Sequence, residues 1–207
     1  MNRYLLAHGA VAAGALSFAT LGAAFALRHA WIPFDQLVGG PPLAIRGSTA
    51  AVVALAALLP AMLSPRLWTW ERVRPDPRLR TFKVLLVLGT ALIPALLVAV
   101  QHAWGASDPG WPSAALNAIS TSALAQLACA LVGPGSSAPW CIALPIGALA
   151  VEQHVPASRE LLSFVAATPA HPAPLTAPLA LLAASSICIA ATLGRSRWSA
   201  GLDPDRT

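Results

Sequence analysis

The residues that could carry chemistry are polar side chains set inside long apolar segments. One segment contains Asn117, Ser120 and Gln126, and another ends in Glu152 and His154. Inside a membrane, such side chains either form a path for ions or protons or hydrogen-bond to neighbouring helices. At about 100° per residue, Asn117 and Gln126 fall on opposite sides of a helix and form no single stripe. This pattern favours a helix bonded to several neighbours over a substrate path.

The composition defines the class of protein that must position these residues. Of the 207 residues, 57% are apolar and 10% are charged, and the mean hydropathy is +0.66. Soluble domains carry about 25% charged residues, so the sequence excludes an ordinary water-soluble domain. It predicts an integral membrane protein of the all-α class. Cys129, Cys141 and Cys188 have no C-x-x-C spacing, and we expect small core residues rather than a disulfide frame or metal site.

Segments without charge predict six transmembrane helices in a single transmembrane domain, residues 1–207. A span needs roughly 17–25 residues, and the turn sequence at 133–137 separates the fourth span from the fifth. An alternative reading takes the first helix as a cleaved signal peptide, which would leave five spans. The predicted helices are 5–27, 48–64, 82–102, 113–132, 139–155 and 176–194.

Basic residues set the predicted orientation. With both termini in the cytoplasm, ten basic residues lie inside and three outside, in accord with the retention of basic flanks in the cytoplasm. We therefore expect a multi-pass protein of the bacterial cytoplasmic (inner) membrane, with Glu152 and His154 at the outer rim. The inner basic residues are Arg3, Arg66, Arg72, Arg74, Arg78, Arg80, Lys83, Arg195, Arg197 and Arg206, and the outer ones are Arg28, Arg46 and Arg159.

Two connecting segments carry further signals. The cytoplasmic basic loop 65–81 begins with Ser64 and Pro65, an N-cap and first-turn pair that predicts a short helix. One interpretation is contact with anionic lipid alone, which we expect for Arg78, Arg80, Lys83, Arg195 and Arg197. The other is a partner-docking surface formed by Arg66, Trp68, Trp70, Glu71, Arg72 and Arg74, since it combines aromatic rings with mixed charge.

In the outer loop 156–175, residues 158–165 predict a short interfacial helix.

Enzyme motifs are missing from the sequence. It contains no G-x-x-x-x-G-K-[ST], H-E-x-x-H, C-x-x-C or G-x-S-x-G. The intramembrane serine proteases of the rhomboid type are excluded too, because the fourth predicted span has no G-x-S and the sixth has no His. We expect no enzyme activity, no cofactor and no metal. No nucleic-acid partner is expected.

The arrangement resembles the six-span permease subunits of bacterial ATP-binding-cassette exporters that lack a fused ATPase. The resemblance lies in two cytoplasmic termini, a cytoplasmic helix between spans two and three, and an outer helical insertion between spans five and six. Residues 64–100 and 117–145 also resemble uncharacterised small integral membrane proteins of bacteria. The exporter resemblance implies that residues 65–74 bind a separate ATP-binding subunit, and that the chain pairs with itself or with a sister chain.

Two functions of different class follow. The first is a permease-like subunit of an ATP-driven exporter, with a separate ATPase docked on the 65–74 loop. The second is a non-transporting accessory, assembly or self-protection membrane protein, which the scattered polar residues and the missing site motifs favour. In both cases the lipid bilayer is a partner.

Overall fold

The computed structural model is a helical bundle, described over residues 9–33, 44–63, 77–104, 110–133 and 175–192 and at five single positions between 139 and 151. The described ranges contain α1 (Ala10–Ala26), α2 (Gly47–Met62), α3 (Pro77–Ala103), α4 (Trp111–Val132) and α5 (Thr176–Thr192). Between α1 and α2, strand β1 (Trp31–Pro33) pairs with strand β2 (Ala44–Arg46) in antiparallel register. The prediction of a helical fold is confirmed, whereas the strand pair was not predicted.

Five of the six predicted helices correspond to observed ones, with ends that differ by a few residues. Helix α3 begins at Pro77 rather than at 82, so that the end of the expected basic loop is helical. For the predicted helix 139–155, the described positions Pro139, Trp140, Ala143, Gly147 and Val151 are helical, and its other residues lie outside the described part.

Helix length separates the five helices into two groups. The apolar segments of α3 and α4, with 26 and 22 residues, are long enough to cross a membrane. The other three helices are apolar but shorter, with 16 or 17 residues each. By length and composition, two of the described helices are therefore candidate membrane spans.

Helix α4 lies at the centre of the bundle and packs against α2, α3 and α5, while α1 packs mainly on α2. On one side, Ala118 of α4 contacts Val52 and Ala56 of α2. On another side, Ala130 of α4 contacts Val87 of α3 and Ile189 of α5. Alanine at these contacts allows the helix backbones to approach closely. The scattered polar residues of α4 predict a helix with neighbours on several sides, and the observed packing agrees with that prediction.

Candidate functional site

A layer of buried polar side chains occupies the middle of the bundle. Most of it comes from the consecutive residues Ser120, Thr121 and Ser122 of α4 and from Gln126 one turn later. Helix α3 contributes Thr90 and helix α5 contributes Ser185, and all six side chains are at most 3% exposed. We call these six residues the polar layer. They are neutral, so the chemistry that they offer is hydrogen bonding.

Gln126 connects α4 to α3 within the polar layer. Its Nε2 donates to the backbone carbonyl of Val87 at 2.9 Å and also to Oγ1 of Thr90. Thr90 Oγ1 in turn donates to the same Val87 carbonyl, at 2.9 Å. A carbonyl only accepts hydrogen bonds, so the amide nitrogen of Gln126 must face Val87. The three groups form a closed hydrogen-bonded link between the two longest helices.

This link lies beside a proline in α3. Pro94 is inside the helix and fully buried, and it has no N–H to donate to the carbonyl of Thr90, four residues earlier. The regular hydrogen-bond ladder of α3 is therefore interrupted at Thr90, the residue that contacts Gln126. Contacts from a neighbouring helix commonly stabilise such interruptions in apolar surroundings.

Several polar atoms of the layer have no hydrogen-bond partner among the described residues. They are Oγ of Ser120, Oγ1 of Thr121, Oγ of Ser122 and Oε1 of Gln126. A buried polar atom without a partner destabilises the fold by roughly 1–3 kcal/mol. By helical spacing, Ser122 and Gln126 share one face of α4, whereas Ser120 points elsewhere. The unpaired atoms are thus spread around α4.

Lys83 is placed differently from the prediction. We expected it to contact lipid headgroups with Arg78 and Arg80, but its side chain is 2% exposed and lies inside the protein. The cause is helical spacing, because Leu79, Lys83 and Val87 occupy successive turns on the buried face of α3. Arg78 and Arg80 are exposed at the beginning of the same helix. Lys83 is therefore an interior residue of the bundle.

A second contact joins α3 to α4 at the far end of α3. The rings of His102 and Trp111 stack with centroids 5.2 Å apart and planes inclined by 24°. The polar atoms Nε2 of Gln101 and Nδ1 of His102 are buried there without a partner in the described part of the chain. We did not predict this pair. The sequence contained a signal for it, since His102 and Trp111 lie on either side of the short connection between α3 and α4.

The remaining predicted site residues divide into two groups. Asn117 lies on α4 and is partly exposed, and Ser120 and Gln126 belong to the polar layer. Several predicted residues lie outside the described part of the chain: Arg66, Trp68, Trp70, Glu71, Arg72, Arg74, Glu152, His154, Arg195 and Arg197. Among the predicted site residues that the structure describes, Ser120 and Gln126 thus belong to the polar layer and Asn117 lies outside it.

The outer surface of the bundle has the opposite character from the polar layer. Many large apolar side chains are exposed on it, with Phe18 of α1 at 79% and Ile187 of α5 at 70%. On α3, Leu85 and Leu96 are 61% and 60% exposed. Apolar faces thus point outward on three helices, while hydroxyl and amide groups are buried.

Comparison with known proteins yields no relative for this chain: no family model matches it, nor does any curated protein or solved structure.

Proposed function

We propose that the chain is a multi-pass protein of the bacterial inner membrane and acts there as the permease-like subunit of an ATP-driven exporter. The observation that carries the membrane location is the distribution of polarity. The exposed faces of α1, α3 and α5 present Phe18, Leu85 and Ile187, and the interior holds Gln126 and Ser122. Lipid favours such apolar surfaces, whereas water does not.

The burial of α3 supports the same location. In its most apolar 18-residue window, 28% of the residues are buried. An equally apolar helix in a soluble protein would be mostly buried, because each exposed Leu or Ile forgoes about 1.5–3 kcal/mol of hydrophobic stabilisation in water. In a bilayer, the exposed side of α3 would contact acyl chains without that loss.

The ends of α3 support the proposed orientation. Arg78 and Arg80 are exposed at its beginning, and Trp104 is 65% exposed just after its end. Basic residues favour the cytoplasmic side, and tryptophans favour both membrane–water interfaces. In the proposed six-span arrangement, with both termini inside, α3 runs from the cytoplasm outward.

The exporter role rests on the resemblance and on the loop before α3. Two tryptophans and mixed charge within residues 65–74 suit a protein partner. A cytoplasmic helix at this place would transmit movement of a bound ATPase to α3, since the loop continues directly into that helix. We propose that the chain acts as a dimer, with itself or with a sister chain.

Co-purification in mild detergent tests the exporter role. We expect an ATP-binding subunit to be recovered with the wild-type chain and to be lost with Trp68→Ala plus Trp70→Ala. The matched control is Trp31→Ala plus Trp104→Ala, which removes two exposed tryptophans from the opposite side of the proposed membrane. Loss of the subunit in the control as well, or its retention in the loop variant, contradicts docking at 65–74.

The second function, a non-transporting accessory or assembly role, is favoured by the packing of α4. A helix whose polar residues bond to one neighbour and pack against two others is suited to a fixed core rather than to a moving gate. Recovery of the wild-type chain without any ATP-binding protein would support this role and contradict the exporter.

A further inference from the structure

Two buried oxygen atoms lie on one face of α4 without a partner in the described part of the chain. They are Oγ of Ser122 and Oε1 of Gln126. The two residues are one helical turn apart, so their side chains are neighbours. Nε2 of Gln126 donates to Val87 and Thr90, so Oε1 is the atom of this amide that is still unpaired, and it can only accept. A group that satisfies both oxygens must therefore lie inside the bundle.

The register of α3 against α4 follows from two contacts. Gln126 bonds to Thr90, and Ala118 packs with Val98 in one apolar cluster. The contact residues are eight positions apart on each helix and their order is reversed, so the two helices run antiparallel. Ser122 is midway between the two contact residues of α4. It therefore lies level with the midpoint of the corresponding segment of α3.

That midpoint is Pro94, which is inside the helix and fully buried. It has no N–H for the carbonyl of Thr90, and a helical carbonyl points along the axis toward the residue four positions later. The carbonyl oxygen of Thr90 is therefore directed toward the level of Ser122, while the hydroxyl of Thr90 contacts the amide of Gln126. One small ligand between the two helices can reach all three oxygens. We call the Thr90 carbonyl oxygen, Ser122 Oγ and Gln126 Oε1 the oxygen site.

The chemistry of the oxygen site suits a monovalent cation. All three atoms can coordinate a cation, and none belongs to a carboxylate, the group that calcium and magnesium prefer. In membrane proteins, backbone carbonyls at interrupted helices coordinate sodium. Lys83 lies two turns before Thr90 on α3, about 10 Å along the axis, and helical side chains lean toward the N-terminus, away from Thr90. The oxygen site thus offers neutral oxygens to a single positive charge.

We propose that the oxygen site binds one sodium ion between α3 and α4. The ion takes the place of the N–H that Pro94 lacks and coordinates the two unpaired oxygens of α4, and water supplies its remaining ligands. Because the folded chain binds the ion and the unfolded chain does not, the free energy of unfolding rises with sodium concentration. Binding requires neither an ATPase nor a transported substrate, so the test is independent of the proposed function.

Thermal unfolding of the full chain in mild detergent tests the proposal, with sodium chloride exchanged for choline chloride at constant ionic strength. We expect the unfolding midpoint to rise by about 3–6 °C for each tenfold increase in sodium above its Kd. Ser122→Ala should not lower the midpoint in choline chloride alone, but it should require at least about tenfold more sodium for the same rise. Pro94→Ala, which restores an N–H to the Thr90 carbonyl, should weaken the sodium dependence in the same way.

The matched control is Ser120→Ala, which removes the same hydroxyl from another face of α4 and should keep the wild-type sodium dependence. A midpoint that does not change with sodium in the wild-type chain overturns the proposal. An equal rise in potassium chloride overturns the assignment to sodium. A sodium dependence that survives both Ser122→Ala and Pro94→Ala, or that is lost in Ser120→Ala, shows that the ion does not bind at the oxygen site.

Discussion

The amide nitrogen of Gln126 lies 2.9 Å from the backbone carbonyl oxygen of Val87, thirty-nine positions away in the chain. This bond ties the central helix α4 to α3 one turn before the interruption that Pro94 introduces. Gln126 thus joins the two longest helices by hydrogen bonds. The first two predictions concern this residue and its neighbours in the polar layer.

Gln126→Leu should lower the free energy of unfolding by about 1 kcal/mol: the loss of two hydrogen bonds of about 1 kcal/mol each is partly offset, by about 1 kcal/mol, because the unpaired buried Oε1 is removed as well. The substitution removes both donations from Nε2 while keeping the side-chain volume similar. Thermal unfolding in detergent measures the change. Ser17→Ala is the control, because its hydroxyl bonds only to Ala13 of its own helix at 2.8 Å. A Gln126→Leu chain as stable as this control contradicts the role of the link.

Ser122→Ala should leave the free energy of unfolding unchanged or raise it by up to about 1 kcal/mol. The reason is that its hydroxyl is buried without a partner in the described part of the chain, so that removing it relieves an unfavourable burial. Ser120→Ala should behave in the same way on the other side of α4. The same unfolding assay serves for both variants. A loss of about 1 kcal/mol or more would show that the hydroxyl has a partner, such as a bound water.

The sequence was sufficient to predict the helices because their signals are local. Uninterrupted apolar runs and the turn at Gly133 define α4, and the run after Pro174 defines α5. The positions of Asn117 and Gln126 on opposite sides of α4 also follow from helical spacing alone. For these features, no knowledge of the tertiary arrangement was needed.

Other features depend on contacts between distant segments and could not be read from the sequence. Lys83 looks like part of a basic flank, and its burial follows only once the face of α3 that meets other helices is known. Likewise, the hydrogen bond between Gln126 and Thr90 cannot be predicted until the position of α4 along the axis of α3 is known. The strand pair at Trp31 and Arg46 is three residues long on each side, too short for a periodic pattern to indicate it.

Gly47→Ala should lower the free energy of unfolding by about 1–3 kcal/mol. The added Cβ would be 3.0 Å from Leu27 Cβ, and the contact can be relieved only if α1 and α2 move apart beside the strand pair. Gly14→Ala and Gly22→Ala are matched controls within α1, where nothing lies within 4 Å of the new atom. They should stabilise the fold by up to about 1 kcal/mol through higher helix propensity. Equal effects at the three glycines would contradict the close approach.

A reporter fused after Arg74 should remain in the cytoplasm, and the same reporter fused after Ser107 should be exported. The physical reason is the difference in charge between the two ends of α3. Arg78 and Arg80 are exposed at its beginning, whereas the sequence near its end, around Trp104, contains no Lys or Arg. Moving two arginines across the bilayer is unfavourable, so the beginning of the helix stays inside. Green fluorescent protein and alkaline phosphatase, active on opposite sides of the membrane, provide complementary measurements.

The charge argument for this orientation has its own control. Replacing Arg78 and Arg80 with Gln in the Arg74 fusion should raise the exported fraction, because part of the retention signal is removed. Replacing Arg28 and Arg46 with Gln should not raise the exported fraction. These two residues precede the first residue of α2, Gly47, whereas the reporter follows the last. If the Arg74 reporter is exported in the wild-type chain, α3 runs in the opposite direction. The 65–74 loop would then face away from cytoplasmic ATP, and the proposed ATPase docking would be wrong.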